Sequence, residues 1–368
     1  MKHVRGLVAG AVAALTVGWA GVAGAAEEPK LNIYNWSDYI AEDTIAKFEA
    51  ETGIKVTYDV YDSNEVLEAK LLAGRSGYDL VVPTGTFLER QIKAGIYQPL
   101  DKSKLANYGN LDPKILKEAA VHDAGNAHAI VYMWGTNGIG WNPAKVAEAA
   151  GLDAPTDSWK LVFDPAWAEK VSKCGLYFLD SPSEIFPVAL AYLGLDPKSK
   201  SEDDLKKAEE VLAKVSPFVT KFHSSEYINA LASGDACVAV GFSGDIFIAR
   251  ARAEEAGDTV KVNYTIPSEG TIMWFDMMAI PKDAPHPENA HKFIDFVMRP
   301  EIAAGITNFV WYANANPKSF DMVDEAVRTD PGVYPPPAVM ERLFSNASPD
   351  QKLERLRTRA WSRIKTGQ

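Results

Sequence analysis

The chain has 368 residues, is 47% hydrophobic and 24% charged, and carries a net charge of −11. That balance excludes a disordered or fibrous chain and suits two domains of roughly 100–200 residues each. The acidic excess is also a poor match for nucleic acid, whose recognition needs a basic surface, and a better one for cationic partners. The first 26 residues predict an export leader, with Lys2 and Arg5 ahead of an uncharged apolar run, Leu7 to Val22, and a small-residue site at Ala23-Gly24-Ala25. Cleavage is expected after Ala25 or Ala26, leaving 36 basic against 49 acidic side chains, a net charge of −13. No later run is long and apolar enough to span a bilayer.

The next hundred residues predict alternating strands and helices. Leu31–Asn35 is an expected strand, and Glu42–Thr52 a helix ended by Gly53. Ile54, Val56, Tyr58 and Val60 alternate with Lys55, Thr57 and Asp59, the period of a strand. Asn64–Ala73 predicts a helix, Tyr78–Val82 a strand stopped by Pro83, and Phe87–Ala94 another helix. Such alternation implies a parallel sheet covered on both faces. Tyr132–Trp141, rich in Gly and aromatics, is expected to cross between two lobes. Beyond it the pattern predicts strands at Leu176–Leu179, Ala236–Phe242, Val260–Ile266 and Met277–Ile280, and helices at Glu184–Leu193, Asp203–Val215 and Glu288–Met298. Arg355, Arg357, Arg359 and Arg363 make the last helix basic, on a solvated or interlobe face. His122 and His128, in a Gly/Asn-containing loop, are expected at the surface, and no metal site is expected. Cys174 and Cys237 are the two cysteines; export favours a disulfide between them, with a pair of buried thiols as the alternative.

Three clusters join aromatics to carboxylates: Trp36-Ser37-Asp38-Tyr39, Phe242-Ser243-Gly244-Asp245 and Trp274-Phe275-Asp276. Two fall at the carboxyl ends of expected strands, where open α/β sheets bind ligands, and Thr84-Gly85-Thr86 has the same location. An Asp at a strand end is often only a helix cap, but three clusters together suit an ammonium group. Carboxylates accept its hydrogen bonds, and aromatic faces attract its charge and cover methylenes. An anion receptor would instead show basic or Gly-rich loops. Gly241-Phe242-Ser243-Gly244-Asp245 approximates a hydrolase nucleophile elbow, but its fifth residue is Asp and no His cluster supplies a base. A secreted carboxylate-dependent hydrolase is the alternative function. The phenol pair of some ferric-iron receptors is missing, Trp311-Tyr312 offering one phenol.

The strings LNIYNWSDYI, ETGIKV, DSNEVLEAKLLAG, YDLVVPTGTFLERQ, PLDKSKL, MWGTNGIGWN, HSSEYINALASGDACVA, GFSGD, WYANAN and RLRTRAW resemble the periplasmic polyamine-binding proteins of bacterial ABC transporters, receptors for putrescine and spermidine. The resemblance spans about Leu31 to Lys365. It implies an α/β, two-lobe periplasmic solute-binding fold (type II-like), with parallel-type sheets flanked by helices and a hinge of crossing strands. The expected division is leader 1–26, lobe 1 over 27–137 plus about 247–300, and lobe 2 over 138–246 plus about 301–368. It further implies a periplasmic monomer without cofactor or catalysis, which captures putrescine or spermidine in the cleft, closes on it and docks on an inner-membrane ABC permease. By residue match, Trp36, Ser37, Asp38 and Tyr39 would line one side, with Thr84 and Thr86 where the family often has Ser. Glu184 would approach from the other lobe. Asp245 would hold one terminal amine, Asp276 would help hold the other, and Trp274 and Tyr312 would stack on the methylenes. Phe242 stands where Trp is common among putrescine receptors, and Trp274 where Phe is also found; the wider indole favours spermidine over putrescine. The two cysteines match positions that pair in relatives.

Overall fold

The computed structural model describes Met1 and residues 27–257, 259–346 and 351–367. The expected cleavage position and all of the leader but Met1 lie outside the described residues. The first third alternates as its periodicity predicts: strand β1 (Lys30–Trp36), helix Thr44–Thr52, β2 (Lys55–Tyr61), helix Asn64–Leu72, β3 (Leu80–Val81) and helix Gly85–Lys93. Gly53 ends the first helix at φ 73°, a left-handed turn that a side chain would strain. Ser63 opens the second, its Oγ accepting the Val66 N–H at 3.3 Å. β1 pairs parallel with both β2 and β3, so Trp36, Tyr61 and the chain around Val82–Thr84 emerge together at the carboxyl end of the sheet.

The long strand β4 (Ala129–Trp141) follows, buried along nearly all its length. After it come β5 (Leu176–Phe178), β6 (Lys221–Phe222), β7 (Val238–Phe242), β8 (Asn263–Thr265), β9 (Thr271–Ala279), β10 (Ala313–Asn314) and β11 (Leu343–Phe344). The main strand order is β2-β1-β3-β9-β4-β7-β5-β6. β4 pairs antiparallel with β9 through Ala129–Thr136, then with β7 through Asn137–Trp141. It therefore leaves one lobe and enters the other near Thr136–Asn137. The pairs β5–β7 and β5–β6 are parallel like those of the first lobe, while the crossing strands add antiparallel pairs between the two parallel wings.

This pairing divides the chain differently from the sequence expectation beyond residue 246. Helix Ser243–Glu255 follows β7, and β8 pairs with Ile139–Trp141, so both belong to the second lobe. β10 pairs with Met133–Trp134, which puts helix Pro300–Val310 and its successor with the first lobe. The second crossing is β9. It begins six residues before the expected Met277–Ile280 and takes in Asp276, a buried carboxylate in a mostly apolar run. Trp274-Phe275-Asp276 thus lies inside a strand. β8 is in turn shorter than the expected Val260–Ile266.

Helix Gln351–Thr366 packs on the second lobe. Trp361 donates to Asp180 Oδ1 at 2.8 Å and sits edge-on to Phe222. Arg355, Arg359 and Arg363 are exposed on it, but Arg357 is buried. His122 is also buried, against the expectation of a surface position; its ring fills the space beside Gly85, where a Cβ would come within 2.4 Å of it. His128 is half-buried, 3.0 Å from Asp123. Cys174 and Cys237 form a disulfide, with Cα atoms 5.4 Å apart, that ties the end of helix Pro165–Ser172 to the start of β7.

Candidate functional site

A cavity of about 430 Å³ opens between the lobes. It brings together Trp36, Ser37 and Tyr39 from the end of β1, Thr84 after β3, and Trp274 and Asp276 from β9. Glu184, Phe242 and Asp245 reach it from the second lobe, and Tyr312 from the turn before β10. Both lobes present strand ends here because their parallel wings run toward the cleft.

Three carboxylates are buried at this cavity. Asp276 accepts the Thr84 hydroxyl at 2.6 Å and the Tyr39 hydroxyl at 2.9 Å. Asp245 accepts Tyr227 at 2.6 Å and Tyr312 at 2.8 Å, and its own N–H donates back to the Tyr312 oxygen at 3.1 Å. Glu184 accepts the Asn137 side-chain amide at 2.8 Å, and that amide's oxygen accepts the Trp274 indole N–H at 3.0 Å. Burial and the adjoining carboxylates raise the hydroxyls of Tyr39, Tyr227 and Tyr312 well above the usual tyrosine value, so they remain donors.

Burial also pushes the Asp245 carboxyl up to about 7 against its two tyrosine donors, and the charge on Asp38 adds to the rise. Asp276 is pushed to about 7 by burial, then by the charges of Glu184 and Asp245. Glu184 is pushed to about 7 by burial, then by Glu65. Among the described residues no Lys or Arg forms an ion pair with any of the three. The cavity is therefore short of positive charge, and a bound cation would restore their ionisation. Nor do three His, Cys, Asp or Glu side chains converge as a metal site among the described residues.

Aromatic rings wall the space in a continuous chain. Centroids lie 6.0 Å apart for Trp36 and Phe242, 5.9 Å for Phe242 and Trp274, and 5.2 Å for Trp274 and Tyr312 and for Tyr39 and Tyr312. Glycines make this packing possible. A Cβ on Gly244 would stand 2.3 Å from the Val310 carbonyl oxygen and 2.4 Å from the Tyr312 ring, and one on Gly135 would stand 2.8 Å from both Trp274 and Tyr312. Ser243, at the place of a hydrolase nucleophile, is buried with its Oγ facing the Thr136 N–H at 3.4 Å and is not among the cavity's lining residues.

Two expected residues lie elsewhere. Asp38, at φ 54°, is not among the cavity's lining residues and pairs with Arg252 of the second lobe at 2.6 Å. Thr86 lines a smaller adjoining chamber of about 230 Å³ with His122 and Asn346, which shares Thr84, Glu184 and Trp274 with the main cavity. Tyr61, Asp62, Ser224 and Ser225 line the main cavity without having been singled out from sequence. Tyr61 could have been inferred from its register opposite Trp36. Asn137 and Tyr227, which hold two of the carboxylates, carried no local signal.

The family model of bacterial extracellular solute-binding proteins matches residues 43–335. The chain belongs to this family. Its sequence is 56% identical over 348 residues to the putrescine-binding periplasmic protein SpuD of Pseudomonas aeruginosa, covering 95% of each chain. It is 51% identical over 367 residues to the putrescine-binding periplasmic protein PotF of Escherichia coli, covering 100% of this chain and 98% of the other. A solved structure of the spermidine/putrescine ABC transporter substrate-binding protein PotD from Streptococcus pneumoniae superposes with a TM-score of 0.72 at 28% identity, covering 92% of this chain and 99% of that one. The solute-binding protein described here is thus a periplasmic, two-lobe receptor.

Proposed function

We propose that this receptor captures a linear polyamine, putrescine or spermidine, in the interlobe cavity and delivers it to an inner-membrane ABC permease without chemistry of its own. The observation that carries this is the set of three buried carboxylates, Glu184, Asp245 and Asp276, facing one aromatic-walled cavity with no Lys or Arg among the described residues paired to them. Burying one such charge alone is prohibitive, and an ammonium at each end of a flexible chain relieves it. Asp245 takes one terminal amine; Asp276 and Glu184 take the other end. Trp36, Phe242, Trp274 and Tyr312 cover the methylenes, whose burial contributes about 0.8 kcal/mol each. Ser37, Tyr39 and Thr84 orient the first-lobe side. Relatives named for putrescine and for spermidine/putrescine support the class.

The lobes in this proposal are 27–136 plus about 271–322, and 137–265 plus about 351–367, closing about the crossings of β4 and β9. Trp274 and the adjoining chamber with Thr86 and Asn346 leave room for a third amine, which favours spermidine over putrescine. Calorimetric titration with putrescine, cadaverine, spermidine and spermine tests the proposal. Polyamine heats with a one-to-one endpoint are expected. Binding of a sugar or an anion with no polyamine heat refutes it, and turnover of an ester or glycoside would favour the hydrolase instead.

A further inference from the structure

Glu65, on helix Asn64–Leu72 of the first lobe, reaches across to the second. Its Oε1 accepts the Ser183 hydroxyl at 2.9 Å and the Ser181 hydroxyl at 3.2 Å, and the two serine oxygens are 2.8 Å apart. Both serines stand at the start of helix Pro182–Tyr192, within one turn of Glu184. The residue that grips the second lobe is thus a carboxylate beside a carboxylate of the cavity. Behind them lies the buried guanidinium of Arg357, whose Nε has no hydrogen-bond partner among the described residues and whose terminal nitrogen is 2.5 Å from Glu354. Arg90 of the first lobe, clamped on Glu68, approaches the same Glu354 at 3.7 Å. The Asn346 side chain donates to the Ser183 carbonyl at 2.7 Å.

We propose that Glu65 is a charge-sensitive latch, holding the lobes together at the Glu184 end when a cationic ligand group occupies that end. This rests on the polyamine function proposed above. With the cavity empty, closure brings the Glu65 charge toward that of Glu184, and Arg357 offsets only part of the repulsion. A ligand ammonium at Glu184 removes the repulsion and leaves Glu65 free to accept both hydroxyls as charge-assisted bonds. Ligand charge thereby favours the closed arrangement over the open one, the differential interaction that a population shift requires. The burial-driven rise of both carboxyls, each raised by burial and countered by Arg357, agrees with this picture. Glu65 acts through the serines and through Glu184, and so is a positioning residue.

Stopped-flow binding of putrescine to the exported protein, wild type against Glu65→Gln, Ser183→Ala and the double variant, tests it. Losing a hydrogen bond to a charged group predicts a dissociation rate raised about tenfold in Glu65→Gln, with an association rate within about twofold of wild type. Ser183→Ala is expected to show a smaller rise in the same rate, and the double variant no more than Glu65→Gln alone. The ligand-induced fall in radius of gyration, read by X-ray scattering, should shrink in Glu65→Gln. Unchanged dissociation, an effect confined to association, or additive effects in the double variant would overturn the latch. Wild type that binds no polyamine refutes the proposed function; wild type that binds while Glu65→Gln matches it refutes the latch alone.

Discussion

Asp245→Asn separates the charge of the site from its shape. The carboxyl is buried, accepts two tyrosine hydroxyls at 2.6 and 2.8 Å, and is pushed by burial up to about 7. Keeping it ionised at pH 8 in an empty cavity therefore costs about 4 kcal/mol relative to an exposed aspartate. Asn retains the volume and one accepting oxygen. Because that cost is already net of the two tyrosine hydrogen bonds, the unliganded variant should be more stable than wild type at pH 8 by up to about 4 kcal/mol. The sign with pH follows from a folded value raised above the unfolded one. The native state holds the extra proton between about pH 4 and pH 7, so wild-type stability falls as pH rises through that window and levels off above it. Asp245→Asn should flatten part of that fall. Binding should move the other way. Removing one partner of a buried charge pair costs about 3–5 kcal/mol, which is a polyamine dissociation constant raised about 10²–10³-fold or more. Asp43→Asn is the control, since Asp43 sits exposed at the start of helix Thr44–Thr52, paired with Lys47. Titration calorimetry gives the affinities, and thermal unfolding at pH 5 and pH 8 gives the stabilities. An Asp245→Asn affinity within threefold of the Asp43→Asn value would refute the role, and a variant less stable than wild type at pH 8 would refute the desolvation account.

Polyamine binding at pH 6 should release protons as Glu184, Asp245 and Asp276, each pushed up to about 7, ionise around the ligand. Affinity should consequently fall as pH drops from 8 to 5, and the observed heat should vary with the ionisation enthalpy of the buffer; buffer-independent heats at pH 6 would contradict this. Trp274→Phe removes the indole N–H that holds Asn137, and with it Glu184, at 3.0 Å. The spermidine-to-putrescine ratio of dissociation constants should shift toward putrescine, and a wild-type preference for putrescine or an unchanged ratio would end the specificity argument. Replacing Cys174 and Cys237 by Ala opens a loop of 63 positions, and loop entropy predicts a loss of about 4 kcal/mol; denaturant midpoints unchanged by the double substitution would show that the bridge adds nothing.

Local periodicity sufficed for much of this protein. The alternation of Ile54 to Val60, the capped helices around Gly53 and Ser63, and the glycine-rich run in Tyr132–Trp141 report burial within a few residues, and the backbone follows them. The same local logic put aromatic and acidic residues at strand ends, and those clusters converge on one cavity. Partnerships between distant residues had no such signal. Tyr39 meets Asp276 across 237 positions, and Asp38 turns to Arg252 across 214, away from the cavity. The lobe of helix Ser243–Glu255 and of β10 depended on which strand crosses back, and β9 takes in Asp276, a buried carboxylate in a mostly apolar run. His122 and Arg357 are polar by composition and buried by packing that no neighbour in sequence imposes. Side-chain chemistry and backbone period are local properties, whereas the desolvation that moves three carboxyls toward neutrality arises only when both lobes enclose them. The residue types thus determined which ligand chemistry was possible, and only the closure of two distant chain segments decided which carboxylates face it.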